Sequence, residues 1–256
     1  MKISVITICF NSAKTIEETI LSVILQDYDD FEYVIIDGAS TDGTQDIVKK
    51  YGDRIDVFVS EKDSGISDAF NKGILRSSGE LIVMINSDDK LIPGALKAVA
   101  EAYTEKGAIF CTNVILKNYE TGVEVRQHPS RTFPRVPLLR IPAHQGMYIP
   151  RAVYDEIGLY DTAIKIPIDI DLIVRAYTRG VKFVFAEIDT AIFRIGGATS
   201  IPVWHKKNDF MRVVTNNGGN KLEAYFYWLF VCACEVGKKI LNVINPDTFR
   251  KLRYRK

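Results

Sequence analysis

Residues 81–91 read LIVMINSDDKL. The first five form an unbroken apolar run, the pattern of a strand buried on both faces of a sheet. The run stops at Asn86 and Ser87 and then meets two adjacent carboxylates, Asp88 and Asp89. Two like charges about 4 Å apart repel by about 4 kcal/mol at an effective dielectric of about 20, so a fold that keeps them needs compensation. Successive residues of an extended chain point to opposite sides, so the two acids are expected to divide their roles. One would hold a hard cation; its neighbour would accept hydrogen bonds from a ligand or shape the turn. The alternative is an acidic pair that caps the following helix.

Outward from this stretch the same form recurs. Residues 3–8, 33–36 and 55–59 are strand-like runs, each followed by polar residues and then by helical periodicity. Asn11 and Ser12 are expected to cap a helix whose Ile16, Ile20, Val23 and Ile24 share one face. Further helices are expected near 44–51, 67–76 and 93–103, the last with Pro93 at a tolerated early position. Residues 108–116 and 123–126 read as later strands, and 129–142, with four prolines, as a linking loop. The alternation predicts an α/β fold with a largely parallel sheet covered by helices on both faces. Ligands of such sheets sit beyond the carboxyl ends of the strands. Asn11, Asp37, Asp63 and the Asp88–Asp89 pair all fall there.

Composition narrows the classes. The chain has 256 residues, 47% hydrophobic and 25% charged, with a net charge of +1, which gives no bulk argument for nucleic-acid binding. The charge is unevenly spread: residues 1–200 carry 22 Lys+Arg against 28 Asp+Glu (−6), and residues 201–256 carry 11 against 4 (+7). Four cysteines, Cys9, Cys111, Cys232 and Cys234, show no CxxC or metal spacing, which suits a reduced intracellular setting. The opening MKISVITICF lacks a small-residue cleavage site after it and is read as a first strand, not a leader. No run reaches the roughly 18–20 apolar residues that span a bilayer. Residues 224–234, AYFYWLFVCAC, are apolar, Lys238 and Lys239 follow, and the chain closes with RKLRYRK. Such a segment either lies in the headgroup plane of a membrane or packs on the core or a second subunit.

Other nucleotide-binding signatures fail. There is no GxGxxG after the first strand and no GxxxxGK[ST] anywhere. DGASTDGTQD is not a calcium loop, because Ala39 and Thr41 stand where ligands belong.

Four segments occur in order: VITICFNSAKTIEETILSVILQ, YVIIDGASTDGT, SEKDSGISDAFNKGI and GELIVMINSDD. Their succession resembles the family 2 glycosyltransferases of GT-A fold. Downstream, AHQGMYIPRAVYDEIGLYD and IDIDLIVR resemble a bacterial branch that builds surface polysaccharides such as capsule and lipopolysaccharide. The resemblance runs from about Lys2 to Gly197. It implies a Rossmann-like GT-A domain over residues 1–200, with a nucleotide-sugar-binding half (1–90) and an acceptor and catalytic half (91–200). Residues 201–256 would be a helical, basic segment that associates with a membrane. The implied activity is inverting, metal-dependent transfer from a nucleotide sugar, commonly a UDP-sugar, with Mn2+ or Mg2+. The implied acceptor is a hydroxyl of a lipid-linked oligosaccharide, and the implied location is the cytoplasmic face of the cell membrane.

The resemblance also implies roles. Asp37 would meet the base, with Asn11 lining the same pocket, and Asp63, Asp68, Asn71 and Lys72 would lie along the donor. Asp88 would approach the ribose or sugar, and Asp89 would hold the metal on the diphosphate. Asp169 aligns with the catalytic base; His144 and Gln145 would touch a sugar. Tyr148 and Gly196-Gly197 beside Arg194 would form an acceptor-side loop. Two residues depart from the pattern: Phe70 stands where many relatives carry Arg, and Ile168 where a Glu often precedes the base. Structural readings stand beside these: a turn residue for Asp37, exposed helix residues for Asn71 and Lys72, a helix cap for Asp169, an ion pair for Asp171 with Arg175. The rivals are a sugar-phosphate nucleotidyltransferase, whose Gly-rich, Arg-containing first loop ICFNSAKT does not supply, and a non-catalytic nucleotide-sugar or glycan-binding protein. The latter gains if Asp169 points away from the rim carrying Asp89.

Overall fold

The computed structural model describes residues 1–129, 142–195 and 206–244. In its first half the apolar runs become parallel strands: β1 (Ile3–Cys9), β2 (Phe31–Asp37), β3 (Val57–Ser60) and β4 (Leu81–Met84). β1 lies between β2 and β4, and β3 adds beyond β2. Their side chains alternate between two cores. Ile6, Val34, Ile36, Ile82 and Met84 enter one; Ile3, Val5, Tyr33, Ile35, Leu81 and Val83 enter the other. α1 (Ile16–Ile24), α2 (Thr44–Lys49) and α4 (Ala95–Ala102) cover the second face. α3 (Ile66–Arg76), α5 (Arg151–Ile157) and α6 (Ile168–Thr178) cover the first. Burial on both faces is why these strands read as continuous hydrophobic runs.

The second half weaves into the same sheet. β5 (Lys90–Leu91), β6 (Ile109–Lys117), β7 (Glu124–Gln127), β8 (Met147–Pro150) and β9 (Phe183–Arg194) complete nine strands in the order β3-β2-β1-β4-β8-β6-β9-β5, with β7 on β6. β8 inserts antiparallel between β4 and β6, while β6 and β9 run parallel through a bulge near Cys111 and Asn113. This is the α/β, GT-A-like sheet with helices on both faces that the sequence predicts. β5, β8 and the long β9 were not anticipated from the sequence.

Local expectations were corrected at two helix starts. α1 begins at Ile16 with Thr15 before it and no side-chain cap, so Asn11 and Ser12 do not cap it. α4 begins after Gly94, whose φ of 78° turns the chain, and leaves Pro93 outside the helix. The apolar face of α1 is as anticipated: Ile16, Ile20, Val23 and Ile24 are buried.

α7 (Lys207–Asn216) and α8 (Lys221–Ile244) follow. Phe210, Val214, Ala224 and Tyr227 form a small third core between them, with Ile170 of α6 packed against it. No helix among the described residues is long and apolar enough to cross a membrane. Gly196-Gly197, most of the proline-rich link and the closing RKLRYRK lie outside the described residues, as do the side chains of Lys238 and Lys239.

Candidate active site

Three loops at the carboxyl ends of the strands are bonded into one rim. After β1, Asn11 takes a left-handed conformation with φ 50°, and after β2, Ala39 does the same with φ 62°. Such angles are uncommon for non-glycine residues and need support from their surroundings. Here each loop supports the other. The Asn11 amide N–H donates to Ser40 Oγ at 2.7 Å, and Asn11 Oδ1 accepts from the Thr41 N–H at 3.0 Å. The Ser12 N–H donates to Thr44 Oγ1, and the Ser12 hydroxyl meets that of Ser87, 2.7 Å away, on the loop after β4.

Asp37 anchors this rim from beneath. It is fully buried, and its carboxylate accepts from the Ser40 N–H at 3.0 Å, the Ser60 hydroxyl at 2.6 Å and the Ser40 hydroxyl. The carboxylate expected at a nucleotide base is thus engaged by serines of the chain itself. Asp63 lies on the loop after β3. Its Oδ1 accepts from the Gly65 N–H, and its Oδ2 lies over Gly38, where a Cβ would come within 2.6 Å of it.

The other donor-side candidates are engaged within the chain. The Asn71 amide is used at both ends on Tyr160, donating to its carbonyl at 2.8 Å and accepting from its N–H at 2.9 Å. It latches α3 to the segment before α6 and is not free to lie along a donor. Asp68 accepts from the Ser64 N–H, which with the Lys72 charge holds its carboxyl below the usual range against the pull of burial. Lys72 pairs with Glu61 at 3.2 Å and Asp68 at 3.4 Å and donates to the Lys62 carbonyl. Both residues shape the β3–α3 loop. Phe70, the departure from the family pattern, is buried edge-on to the His144 ring at 5.9 Å and against Tyr160.

The two acids of the pair stand in different surroundings. Asp89 is fully buried: Oδ2 accepts from Gln145 Nε2 at 2.6 Å and Oδ1 from the Arg194 N–H at 3.0 Å. The Thr19 hydroxyl donates to its carbonyl. Burial, and then the charge of Asp88, push its carboxyl up to about 6, with the Gln145, His144 and Arg194 contacts opposing. A carboxylate whose two oxygens are spent this way braces the turn. Asp88 is only half-buried, and among the described residues no side chain of another residue bonds its carboxylate, which burial shifts upward. Of the two acids, Asp88 is therefore the one whose carboxylate is left free of side-chain partners among the described residues. Gln145, expected at a sugar, is likewise buried on Asp89.

Opposite this pair stands Asp169, in the first turn of α6. The position before that helix is Pro167 and no side-chain cap is made, so Asp169 is not used as a cap. Its Oδ2 lies 3.1 Å from His144 Nδ1, while its Oδ1 is buried without a hydrogen-bond partner. His144 Nε2 lies 3.0 Å from Asn86 Nδ2, and Asn86 Oδ1 is also buried without a hydrogen-bond partner. His144 thus links Asp169 to the loop that carries Asp88 and Asp89. The neighbouring pair behaves structurally: Arg175 Nε donates to buried Asp171 at 2.8 Å, and its Nη1 to the carbonyls of Ile157 and Gly158. Tyr148 is fully buried in the second core and is no part of the rim.

Sequence reasoning missed Asn86 as a partner of His144, although it stands two residues before Asp88. It also missed the Arg194 N–H on Asp89. Those contacts join segments 58 and 105 residues apart, which no local pattern encodes.

Among the described residues no three His, Cys, Asp or Glu side chains converge as a metal cage. The acids fit a different kind of site, in which one carboxylate binds Mg2+ or Mn2+ and phosphate oxygens and water complete the shell. In such a site the carboxylate of Asp88, which no other side chain bonds among the described residues, would be the one ligand.

The sequence profile described as Glycosyl transferase family 2 matches residues 4–158. The glycosyltransferase TuaG of Bacillus subtilis, assigned to teichuronic acid biosynthesis, is 37% identical over 111 residues, which is 42% of this chain and 44% of TuaG. The match therefore covers less than half the length of that relative. Among solved structures, S. aureus TarS 1-349 in complex with UDP-GlcNAc superposes with a TM-score of 0.67 at 18% identity, over 99% of this chain and 78% of that one. A mannosyltransferase from Pyrobaculum calidifontis, in complex with GDP-Man and Mn2+, gives a TM-score of 0.64 at 15% identity over 98% and 77%. At these identities the likeness is one of fold.

Proposed function

The chain belongs to glycosyl transferase family 2, and from that premise we propose that it transfers a sugar with inversion, in a metal-dependent reaction, from a UDP-sugar to a hydroxyl of a lipid-linked oligosaccharide. The product would be a surface polysaccharide. One observation carries this reading: Asp169 keeps an unpartnered Oδ1 while its Oδ2 is held by His144, which joins it to Asn86 on the loop that carries Asp88. A carboxylate oxygen so held suits a general base.

In the step itself the acceptor hydroxyl gives its proton to Asp169 Oδ1. The oxygen's electron pair forms the bond to the anomeric carbon. The bond from that carbon to the diphosphate oxygen breaks, and its electrons leave with the nucleoside diphosphate. A divalent cation, when bound, supplies the positive charge that stabilises this leaving group. Asp88 is the residue that would hold it, and Asp89 keeps the turn that presents Asp88. On the donor side, Asp63 over Gly38 and the braced Asn11 loop would receive the base, with Asp37 setting the loop's shape. The choice of UDP draws support from the UDP-GlcNAc bound by the similarly folded TarS.

The division of the chain follows: residues 1–90 would bind the nucleotide sugar, 91–200 would supply the base and the acceptor side, and 201–256 would sit on a membrane. α8 supports the last part. Leu222, Phe226, Leu229, Phe230, Val236 and Ile240 are exposed on it, in a segment with a charge balance of +7. Such a helix suits an anionic membrane face, where a lipid-linked acceptor would be met. This makes the enzyme peripheral on the cytoplasmic side.

The test is release of nucleoside diphosphate from a panel of nucleotide sugars, with Mn2+ or with chelator, by the wild type and Asp88→Asn. Cation-dependent turnover on a UDP-sugar, lost in Asp88→Asn, is expected. Turnover unaffected by chelator would overturn the metal assignment, and absence of turnover on every donor would overturn the activity.

A further inference from the structure

His144 stands at the join between the two halves of the site, and its surroundings decide what it can do. Both ring nitrogens are occupied: Nδ1 faces Asp169 Oδ2 at 3.1 Å, and Nε2 faces Asn86 Nδ2 at 3.0 Å. Phe70 closes one side of the ring at 5.9 Å, and the side chain is 15% exposed. No nitrogen is left to meet a sugar hydroxyl, so the contact expected from the HQG motif does not describe this residue.

We infer that His144 is a positioning residue for the Asp169 base: its Nδ1–H fixes Oδ2, which leaves Oδ1 to take the acceptor's proton, and its Nε2 ties that orientation to Asn86 on the donor-side loop. This inference rests on the role proposed above for Asp169. With Asn86 Nδ2 donating to Nε2, the ring is neutral and its single N–H lies on Nδ1. The base then keeps its full negative charge with one oxygen tethered and one oxygen open. If the Asn86 amide turns over, its unpartnered Oδ1 accepts from Nε2–H instead, and the same residues accommodate an imidazolium. That form pairs with Asp169 and makes it a weaker base.

Three carboxylates act on the ring through their charge: Asp169 from α6, and Asp88 and Asp89 from the loop after β4. α3 brings Phe70 against it, and Arg194 at the end of β9 is a cation close to Asp88. Burial disfavours the ring's charge, but the three acids outweigh it and move the ionisation above the ordinary histidine value. Transfer should therefore rise with pH as the imidazolium of His144 loses its proton.

The experiment is steady-state transfer, with kcat and both KM values followed from pH 5.5 to 9, for the full-length wild type, His144→Ala and His144→Asn. The Asn variant retains an N–H donor near the position of Nδ1. Loss of an outer-shell partner typically costs about 10–100-fold, so His144→Ala should lower kcat by about 100-fold and leave both KM values within about 3-fold. His144→Asn should restore kcat to within about 10-fold of wild type and abolish the histidine limb of the pH profile. The inference is overturned if His144→Ala keeps the wild-type kcat, if the loss falls on the acceptor KM alone, or if His144→Asn keeps the limb. Should His144→Ala not fold, the pH profile of His144→Asn decides by itself. Asp169→Asn separates the two levels. If it transfers normally, the base assignment falls and takes this inference with it; if it is inactive while His144→Ala is normal, only the inference falls.

Discussion

Asp88 and Asp89 are adjacent in the chain, yet Gln145 and the Arg194 N–H bond the carboxylate of the second alone. The acids were legible in the sequence, and so was their division, because neighbouring side chains in an extended segment diverge. Which acid takes which role was not legible, since it is set by partners 56 and 105 residues away. The same limit applies to Asn71 and Asp37: their positions in the motifs are right for a site, but their hydrogen-bonding capacity is used on Tyr160, Ser40 and Ser60. A direct consequence separates the pair. Asp88→Asn should weaken the cation-dependent part of UDP binding by about 10-fold or more, since the cation loses its carboxylate ligand. Asp89→Asn should largely preserve it, because Gln145 can turn its amide to face the new donor. Calorimetric titration with and without Mn2+ reads both.

At the scale of elements, the parallel strands were legible because burial on both faces leaves continuous apolar runs, whereas β5 and β8, two and four residues long, are defined by their neighbours. The edge of the sheet opposite the site is clasped by Glu32. This buried side chain binds Lys2 Nζ at 2.7 Å, the hydroxyls of Ser4 and Ser78, and the Gly79 N–H at 3.0 Å, joining β1, β2 and the entry to β4. Burial opposes its charge, but these bonds, that from Lys2 first, push its carboxyl down to about 2 from 4.5. A lowered value in the folded chain means stability that is present above pH 4.5 and is lost as pH falls toward 2. Glu32→Gln should therefore cost about 3 kcal/mol at pH 7, and the difference should shrink between pH 4.5 and 2, as followed by urea unfolding. α3 gives a second test. A Cβ on Gly73 would come within 2.4 Å of Ile6 Cγ2, so the helix lies on β1 at a distance only glycine allows. Gly73→Ala should destabilise by about 1–3 kcal/mol, although alanine is the better helix former.

For the whole molecule, the sheet brings residues from four strand ends onto one rim, His144 links α6 to it, and α8 carries an exposed apolar face. Phe226 and Ile240 are 61% and 53% exposed, so Phe226→Glu with Ile240→Glu should leave folding intact. The pair should lower cosedimentation with anionic vesicles by about 10-fold or more, because each buried side chain gives up about 1.5–3 kcal/mol of transfer energy. Unchanged binding, with association into dimers at micromolar protein, would assign this face to a second copy of the chain. The central claim is a single displacement at the anomeric carbon, with the acceptor's proton passing to Asp169. Its most direct test is the configuration of the first linkage formed, read by NMR from one-bond C–H coupling at the anomeric carbon. Transfer from an α-linked UDP-sugar should give a β-linked product; an α-linked product would contradict the account.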